Sequence, residues 1–158
     1  MNQKELSIVL RELARSQKVR LCDVWYSEWD DDSDIDALLD KFVRGHDFCI
    51  TNDYPSLPFI REHLLRYRDA LHRHHIYVDE SVDLTADNGT YIFLGACTGR
   101  LVARGLHTVS VYCRHESVLD VSALEGSNVF VSTYERSHVS CHADIMSLLH
   151  HYRREKQE

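Results

Sequence analysis

The sequence predicts an α+β protein with three parts: a three-helix N-terminal region (1–75), a small β-solenoid (76–143) and a C-terminal capping helix (144–158). Apolar residues recur at helical spacing through the first half, which predicts the helices. Short apolar pairs then start every ten residues between 109 and 141, which predicts a stacked β-repeat. Helical spacing returns near the C-terminus. An antiparallel β-meander is the alternative for the repeat, since ten-residue spacing also suits successive hairpins.

The first two predicted helices each have an apolar stripe. In the helix at 3–17 the stripe comprises Leu6, Val9, Leu10 and Leu13, and in the second helix it comprises Ile35, Leu38, Leu39, Phe42 and Val43. Ser33 is the predicted N-cap of the second helix, because a serine followed three residues later by Asp36 resembles a capping box. Gly45 is predicted to end this helix.

The third predicted helix is continuous from Ser56 to the histidines of Leu71-His-Arg-His-His75. Ser56 is a suitable N-cap, and Pro58 is tolerated in the first helical turn. Its apolar stripe comprises Ile60, His63, Leu64, Tyr67 and Leu71. The segment 52–55, Asn-Asp-Tyr-Pro, is predicted to be a turn before this helix.

The repeat follows two predicted strands, 76–78 and 91–94, which are separated by the turn-rich segment TADNGT. Its apolar pairs are Val109-Ser-Val111, Leu119-Asp-Val121, Val129-Phe-Val131 and Val139-Ser-Cys141. The spacing predicts that Val111, Val121, Val131 and Cys141 stack as one buried ladder. Small residues form a second column at 103, 113, 123, 133 and 143, and serines precede the last three pairs at 117, 127 and 137. Such columns suit a coil whose turns superimpose.

The predicted C-terminal helix has an apolar face of Ile145, Leu148, Leu149 and Tyr152. Arg153, Arg154 and Lys156 make its end cationic, as a helix dipole favours. We expect this helix to cover the last coil, because a solenoid end exposes unpaired backbone groups.

Composition narrows the classes of function. The chain has 158 residues with 44% hydrophobic residues, and 25 acidic against 18 basic side chains give a net charge of −7. This acidic balance disfavours nucleic acid as the partner, since phosphate binding needs a basic face. No apolar run approaches a membrane span, no signal peptide is evident, and none of the five cysteines lies in a CxxC pair. We therefore expect a cytoplasmic protein with reduced thiols and no membrane association.

No complete catalytic or metal-binding constellation is found in the sequence, and no cofactor is predicted. His138, Cys141 and His142 form HxxCH, but an extended chain holds the two histidines about 13 Å apart. Cys49 follows a histidine, yet its apolar neighbours indicate a packed thiol. Nucleotide-phosphate and nucleophile-elbow motifs are missing. No catalytic residue and no metal ligand is predicted.

Two groups of residues are candidate binding sites. Trp25 and Trp29 lie beside acidic residues and are candidates for a contact surface. The alternative is that both tryptophans anchor the first helix pair to the β region. Basic residues could receive an anion: Arg100, Arg104, Arg114, Arg61, His72 and His75.

The preferred hypothesis is a non-enzymatic binding or scaffold protein that acts through protein–protein contacts. Its protein partner is not identified, and a homo-oligomer is left open. The alternatives are a protein that sequesters a small anionic ligand such as a nucleotide, and a metal- or thiol-dependent enzyme that uses His72, His75 or Cys49.

A resemblance is carried by Arg44-Gly-His-Asp-Phe-Cys-Ile-Thr-Asn-Asp-Tyr-Pro55 with Phe59-Ile60, and by Ile76-Tyr-Val-Asp-Glu80, Leu94-Gly95 and Val109-Ser-Val-Tyr112. With these motifs the chain resembles a family of uncharacterised proteins from gut Bacteroidetes and their phages and mobile elements. The resemblance implies a helical N-terminal part followed by short β repeats, and a phage or mobile-element origin. It implies no activity and no catalytic residue. The histidine-rich third helix and the terminal helix depart from the family pattern.

Overall fold

The computed structural model describes residues 1–16, 27–29 and 34–154. The chain divides into two compact units, Met1–His74 and His75–Glu158. The described part of the first unit is helical and that of the second is built of strands, so the mixed α+β class is confirmed.

The helices of the first unit whose bounds are described are α1 (Gln3–Arg15), α2 (Ile35–Arg44), α3 (His46–Thr51), α4 (Leu57–His63) and α5 (Arg68–Arg73). A capping box of Asn2 and Glu5 starts α1. The N-cap of α2 is Asp34, whose side chain accepts a hydrogen bond from the Ala37 N–H, and not the predicted Ser33, which lies outside the described residues. Gly45 ends α2 as predicted.

The predicted third helix is interrupted, so its continuity was wrong. It consists of α4 and α5, joined by a 3-10 turn at Leu65–Tyr67. The N–H of Tyr67 donates to the carbonyl of Leu64, the three-residue spacing of a 3-10 turn. Periodicity could not distinguish these cases, because both arrangements keep side chains three and four residues apart on one buried face.

The second unit is a parallel β-solenoid. Its described strands are β1 (Ile76–Val78), β2 (Ser81–Ala86), β3 (Gly89–Leu94), β4 (Thr98–Arg104), β5 (Thr108–Cys113), β6 (Val118–Leu124), β7 (Asn128–Tyr134), β8 (His138–Ala143) and β9 (Leu148–Arg154). Odd-numbered strands form sheet 1, in the order β1-β3-β5-β7-β9, and even-numbered strands form sheet 2, in the order β2-β4-β6-β8. All these neighbours pair in parallel, which excludes the antiparallel meander.

The ten-residue echo is half of one coil, and this corrects the predicted ladder. Val111 pairs with Val131 in sheet 1, whereas Val121 pairs with Cys141 in sheet 2. The four residues therefore form two ladders on separate sheets, and each ladder repeats every twenty positions. The small-residue column splits in the same way, because Cys113 pairs with Thr133 while positions 103, 123 and 143 pair in sheet 2. Two strands and two corners make one coil, so alternate decapeptides belong to opposite sheets.

The interior of the solenoid is an apolar core shared by the two sheets. Val109, Val111, Val129 and Val131 of sheet 1 and Leu101 and Val121 of sheet 2 are completely buried. Along β6, buried residues alternate with exposed or half-buried ones, as a strand with one buried face requires.

The serine column lies at the corners and connects successive coils. The hydroxyl groups of Ser117, Ser127 and Ser137 donate to the carbonyls of Gly95, Ala103 and Cys113, at 3.1, 3.2 and 2.9 Å. All three serines are buried. Because their hydroxyls satisfy backbone carbonyls that a buried corner would otherwise leave unpaired, they have a structural role.

The prediction of a C-terminal capping helix is wrong. Residues 148–154 form β9, which pairs in parallel with β7 from Asn128↔Leu148 to Tyr134↔Arg154. The predicted apolar face mixed two environments, because Leu149 packs against the core while Ile145 lies in an exposed turn. A short helix at this position would be only marginally stable by itself, whereas pairing with β7 gives the backbone of β9 its hydrogen bonds.

Candidate functional site

The candidate site is the terminal coil, residues 138–154, which comprises β8, the following turn and β9. In the described part of the chain β8 pairs with β6 alone and β9 with β7 alone. The Leu148 N–H donates to the carbonyl of Ser127 at 3.0 Å, and alternate residues of a parallel strand face the same neighbour. The N–H and C=O groups of Leu149, His151 and Arg153 therefore face away from β7. We call this row of backbone groups the open edge, and it can accept a further strand.

Exposed apolar side chains concentrate at the terminal coil. Of the seven large hydrophobic residues that are exposed in the described residues, four belong to it: Ile145, Met146, Leu148 and Tyr152. Ile145 is fully exposed, and Met146 and Leu148 are 76% and 60% exposed. Such clusters on a folded protein indicate an interaction surface.

The core ends in a polar side chain at the open edge. His151 occupies the position that Val131 and Val111 occupy on the preceding strands of sheet 1. One of its ring nitrogens, Nε2, lies 3.1 Å from the Thr133 hydroxyl oxygen. Burial lowers the pKa of His151, and the charges of His138 and Arg153 lower it further. The neutral form of the His151 imidazole is thus favoured, at a position where the preceding strands of sheet 1 have valine.

Aromatic rings line the outer face of sheet 1 beside the open edge. The rings of Phe130 and His150 stack with centroids 4.9 Å apart, and His150 is followed by Tyr152 at 6.5 Å. The guanidinium carbon of Arg154 lies 5.0 Å from the Tyr152 ring centroid. The outer face of sheet 1 beside the open edge is therefore a row of stacked rings that ends in a cation.

The arginines of the earlier coils form ion pairs between coils. Arg100 donates to Asp83 at 2.8 Å, Arg104 to Glu125 at 3.3 Å and Arg114 to Glu135 at 2.8 Å. Arg136 pairs in the same way with Glu116. The Arg100 guanidinium lowers the pKa of Asp83. Each carboxylate lies on the coil next to that of its arginine, so ion pairing accompanies the stacking of coils.

The two arginines of β9 differ from the others. Arg153 donates to the Ser137 carbonyl at 2.8 Å, and Arg154 lies over Tyr152. In the described residues neither forms an ion pair with a carboxylate. No described coil follows β9 to supply one.

The predicted anion-binding arginines are not brought together. Arg100 borders a shallow depression of about 370 Å³ on the outer face of sheet 2, and the carboxylates of Asp83 and Asp120 border the same depression. Arg114 is buried and pairs with the exposed Glu135, and Arg104 pairs with Glu125. A small anion at these arginines would meet carboxylates already in place.

Only one of the two tryptophans predicted to form a contact surface lies in the described residues. Trp25 lies outside the described residues. Trp29 is buried, its indole N–H donates to the Ser7 hydroxyl at 2.9 Å, and the Lys41 ammonium lies 6.0 Å from its ring. Trp29 is therefore a packing residue of the helical unit and not part of an exposed contact surface.

The remaining predicted binding residues do not share one location. Arg61 is exposed on α4, and His72 is half-buried on α5. His75 belongs to the solenoid unit, where its ring stacks on Tyr91 with centroids 4.3 Å apart. The basic segment 61–75 therefore spans the end of one unit and the start of the other.

The described residues give no structural support to the hypothesis of a metal- or thiol-dependent enzyme. These contain no group of three or more histidine, cysteine or acidic side chains that could hold a metal ion. Cys49 is buried in the helical unit, and this burial raises its pKa to about 12. Since the thiolate is the nucleophilic form, this cysteine is unsuited to nucleophilic catalysis at neutral pH.

The terminal coil was missed as a site because its last strand was predicted to be a helix. A signal was present, since Leu149 and His151 follow Val129 and Val131 by twenty residues, the period by which Val129 and Val131 follow Val109 and Val111. The ten-residue echo of apolar pairs ends at Cys141 in the sequence, because histidine occupies position 151, where the earlier strands of sheet 1 have valine.

Comparison with known proteins gives no relative: no protein-family model, no curated protein and no solved structure matches the chain. The family resemblance and the origin that it implies stay predictions. No described helix is both long enough and apolar enough to cross a membrane.

Proposed function

We propose that the protein is a non-enzymatic binding or scaffold protein that makes protein–protein contacts through its terminal coil. One observation carries this proposal: exposed apolar side chains coincide with the open edge of β9. An edge strand offers main-chain hydrogen bonds, and the adjacent apolar groups offer burial, which together are the elements of strand addition.

The solenoid supports binding by holding the edge rigid. Parallel ladders continue from β9 back through β7, β5 and β3, so the edge is ordered before a partner arrives. An ordered surface loses little conformational entropy on association, and more of the contact energy remains as affinity. The ordered edge therefore favours binding of a partner without rearrangement of the solenoid.

The enclosed space in the helical unit does not favour a small-molecule site. Its cavity has a volume of about 30 Å³ and is lined mainly by apolar side chains, among them Leu10, Leu38 and Cys49. That volume admits about one water molecule and no metabolite. Binding at the terminal coil is the better-supported activity.

The proposal predicts that lysines at Met146 and Leu148 weaken partner binding. We expect the double variant Met146→Lys/Leu148→Lys to lose affinity by at least about tenfold, because it replaces two apolar contacts by hydrated charges. Purified tagged proteins would be used to capture partners, and the captured proteins would be quantified by mass spectrometry. Both positions are exposed, so the thermal midpoint is expected to stay unchanged.

Leu106→Lys is the matched control. Leu106 is 88% exposed in the corner between β4 and β5, two coils before the corner that contains Met146. Partners captured by the wild-type protein should be retained by this control and lost by the double variant. Equal capture by the double variant and the wild type would contradict the proposed function.

A further inference from the structure

We propose that the partner adds to β9 as an extended strand and supplies a carboxylate that pairs with Arg154. This inference rests on the proposed function and specifies the chemistry of the partner. The partner is an acidic extended segment of another protein.

The position of the carboxylate follows from the repeat. Arg154 lies opposite Tyr134, and Tyr134 directly follows Thr133, which lies opposite Cys113. Arg154 therefore occupies the column of Arg114, two coils later in sheet 1. Arg114 pairs with Glu135, the first residue of the turn that follows β7. A strand added in parallel to β9 would place its equivalent of Glu135 beside Arg154.

The charges of the terminal coil also favour an acidic partner. Besides Arg153 and Arg154 the coil contains four histidines and a single carboxylate, that of Asp144. The two Asp144 oxygens accept hydrogen bonds from the N–H groups of Glu125 and Met146, at 2.8 and 3.1 Å. This carboxylate is thus held in the corner, while the arginines remain at the edge.

A second copy of the chain fits this edge less well. It would present the same arginines and histidines, so end-to-end approach would bring cations together. A segment with carboxylates instead meets complementary charge, and it lengthens the series of inter-coil ion pairs by one member. The charges at the open edge therefore favour an acidic strand of another protein over a second copy of this chain.

The chain supplies its own probe. A blocked peptide of residues 128–135, Asn-Val-Phe-Val-Ser-Thr-Tyr-Glu, has the sequence that packs on β5 with its glutamate at Arg114. Added to β9 in the same register, it places this glutamate at Arg154. The matched control is the same peptide with glutamine in place of the glutamate. Nitrogen-15 NMR titration of the full chain would measure both affinities and locate the affected amides.

We expect the glutamate peptide to shift the amide signals of Leu149, His151 and Arg153. It should bind about two- to fivefold more tightly than the glutamine peptide, the effect of one exposed ion pair. The variant Arg154→Gln should abolish this difference, whereas Arg136→Gln, at an exposed arginine already paired with Glu116, should retain it.

Other outcomes overturn the inference in distinguishable ways. Equal affinity of the two peptides would exclude the carboxylate and leave strand addition at the open edge in place. Failure of the glutamate peptide to shift the β9 amides would exclude this partner chemistry. Dimers of the peptide-free chain that involve β9 would assign the edge to a second copy. The proposed function itself is tested separately, because it fails if the Met146→Lys/Leu148→Lys variant retains its partners.

Discussion

Replacing Val121 by aspartate is expected to unfold the solenoid, at a cost of more than about 4 kcal/mol in the free energy of unfolding. Val121 is completely buried on β6, and its ladder neighbours Leu101 and Cys141 provide no partner for a carboxylate. A loss of this size is comparable with the whole stability of a small domain. Urea unfolding followed by far-ultraviolet circular dichroism would measure it.

Val118→Asp is the matched control, since Val118 lies on the same strand but is 50% exposed. The three-residue separation places the two side chains on opposite faces of β6. We expect the control to change the free energy of unfolding by less than about 0.5 kcal/mol. Similar losses for the two variants would contradict the assignment of the inward face.

Gly99→Ala is expected to destabilise the solenoid by about 2–4 kcal/mol. Gly99 on β4 has a φ of +122°, and a Cβ there would lie 1.9 Å from the carbonyl oxygen of Val82. Because that atom is backbone of the neighbouring strand, the clash can be relieved only by separating β2 from β4. The same urea experiment would report the loss.

Gly89→Ala separates the effect of backbone conformation from the effect of contact. Gly89 has a φ of +138°, but a Cβ there would meet nothing within 4 Å. We expect this control to cost about 1–2 kcal/mol, from the positive φ alone. If the two alanine variants were equally destabilised, close approach of β2 to β4 at Gly99 would be refuted.

Much of the fold could be predicted from the sequence, because equivalent positions in successive coils are buried in the same way and select the same type of residue. Val109 with Val129 and Val111 with Val131 form two buried columns, so valine recurs at both positions and the stacked coil is evident. The partition into two sheets was not predictable in this way. Both sheets present the same apolar pairs to one core, so the pairs at 111 and 121 look identical until pairing is known.

The candidate site was predicted poorly, for physical reasons that concern particular residues. Leu148, Leu149 and Tyr152 fit helical spacing as well as an edge strand, and local sequence cannot weigh pairing with β7 against it. The arginines at 100, 104 and 114 appeared to be a binding face because their carboxylate partners lie about twenty residues away along the chain. Only the coil register shows that these charges are already satisfied.

Amide hydrogen exchange along β9 tests the central claim, an edge strand that is paired on one side and open on the other. The N–H groups of His150, Tyr152 and Arg154 face β7 and should exchange slowly, whereas those of Leu149, His151 and Arg153 should exchange fast. Alternation of this kind, seen by NMR in the full chain, is the result that we predict. Uniformly slow exchange would show that the edge is already covered, and uniformly fast exchange would show that β9 is not a strand of sheet 1; either result would contradict the account.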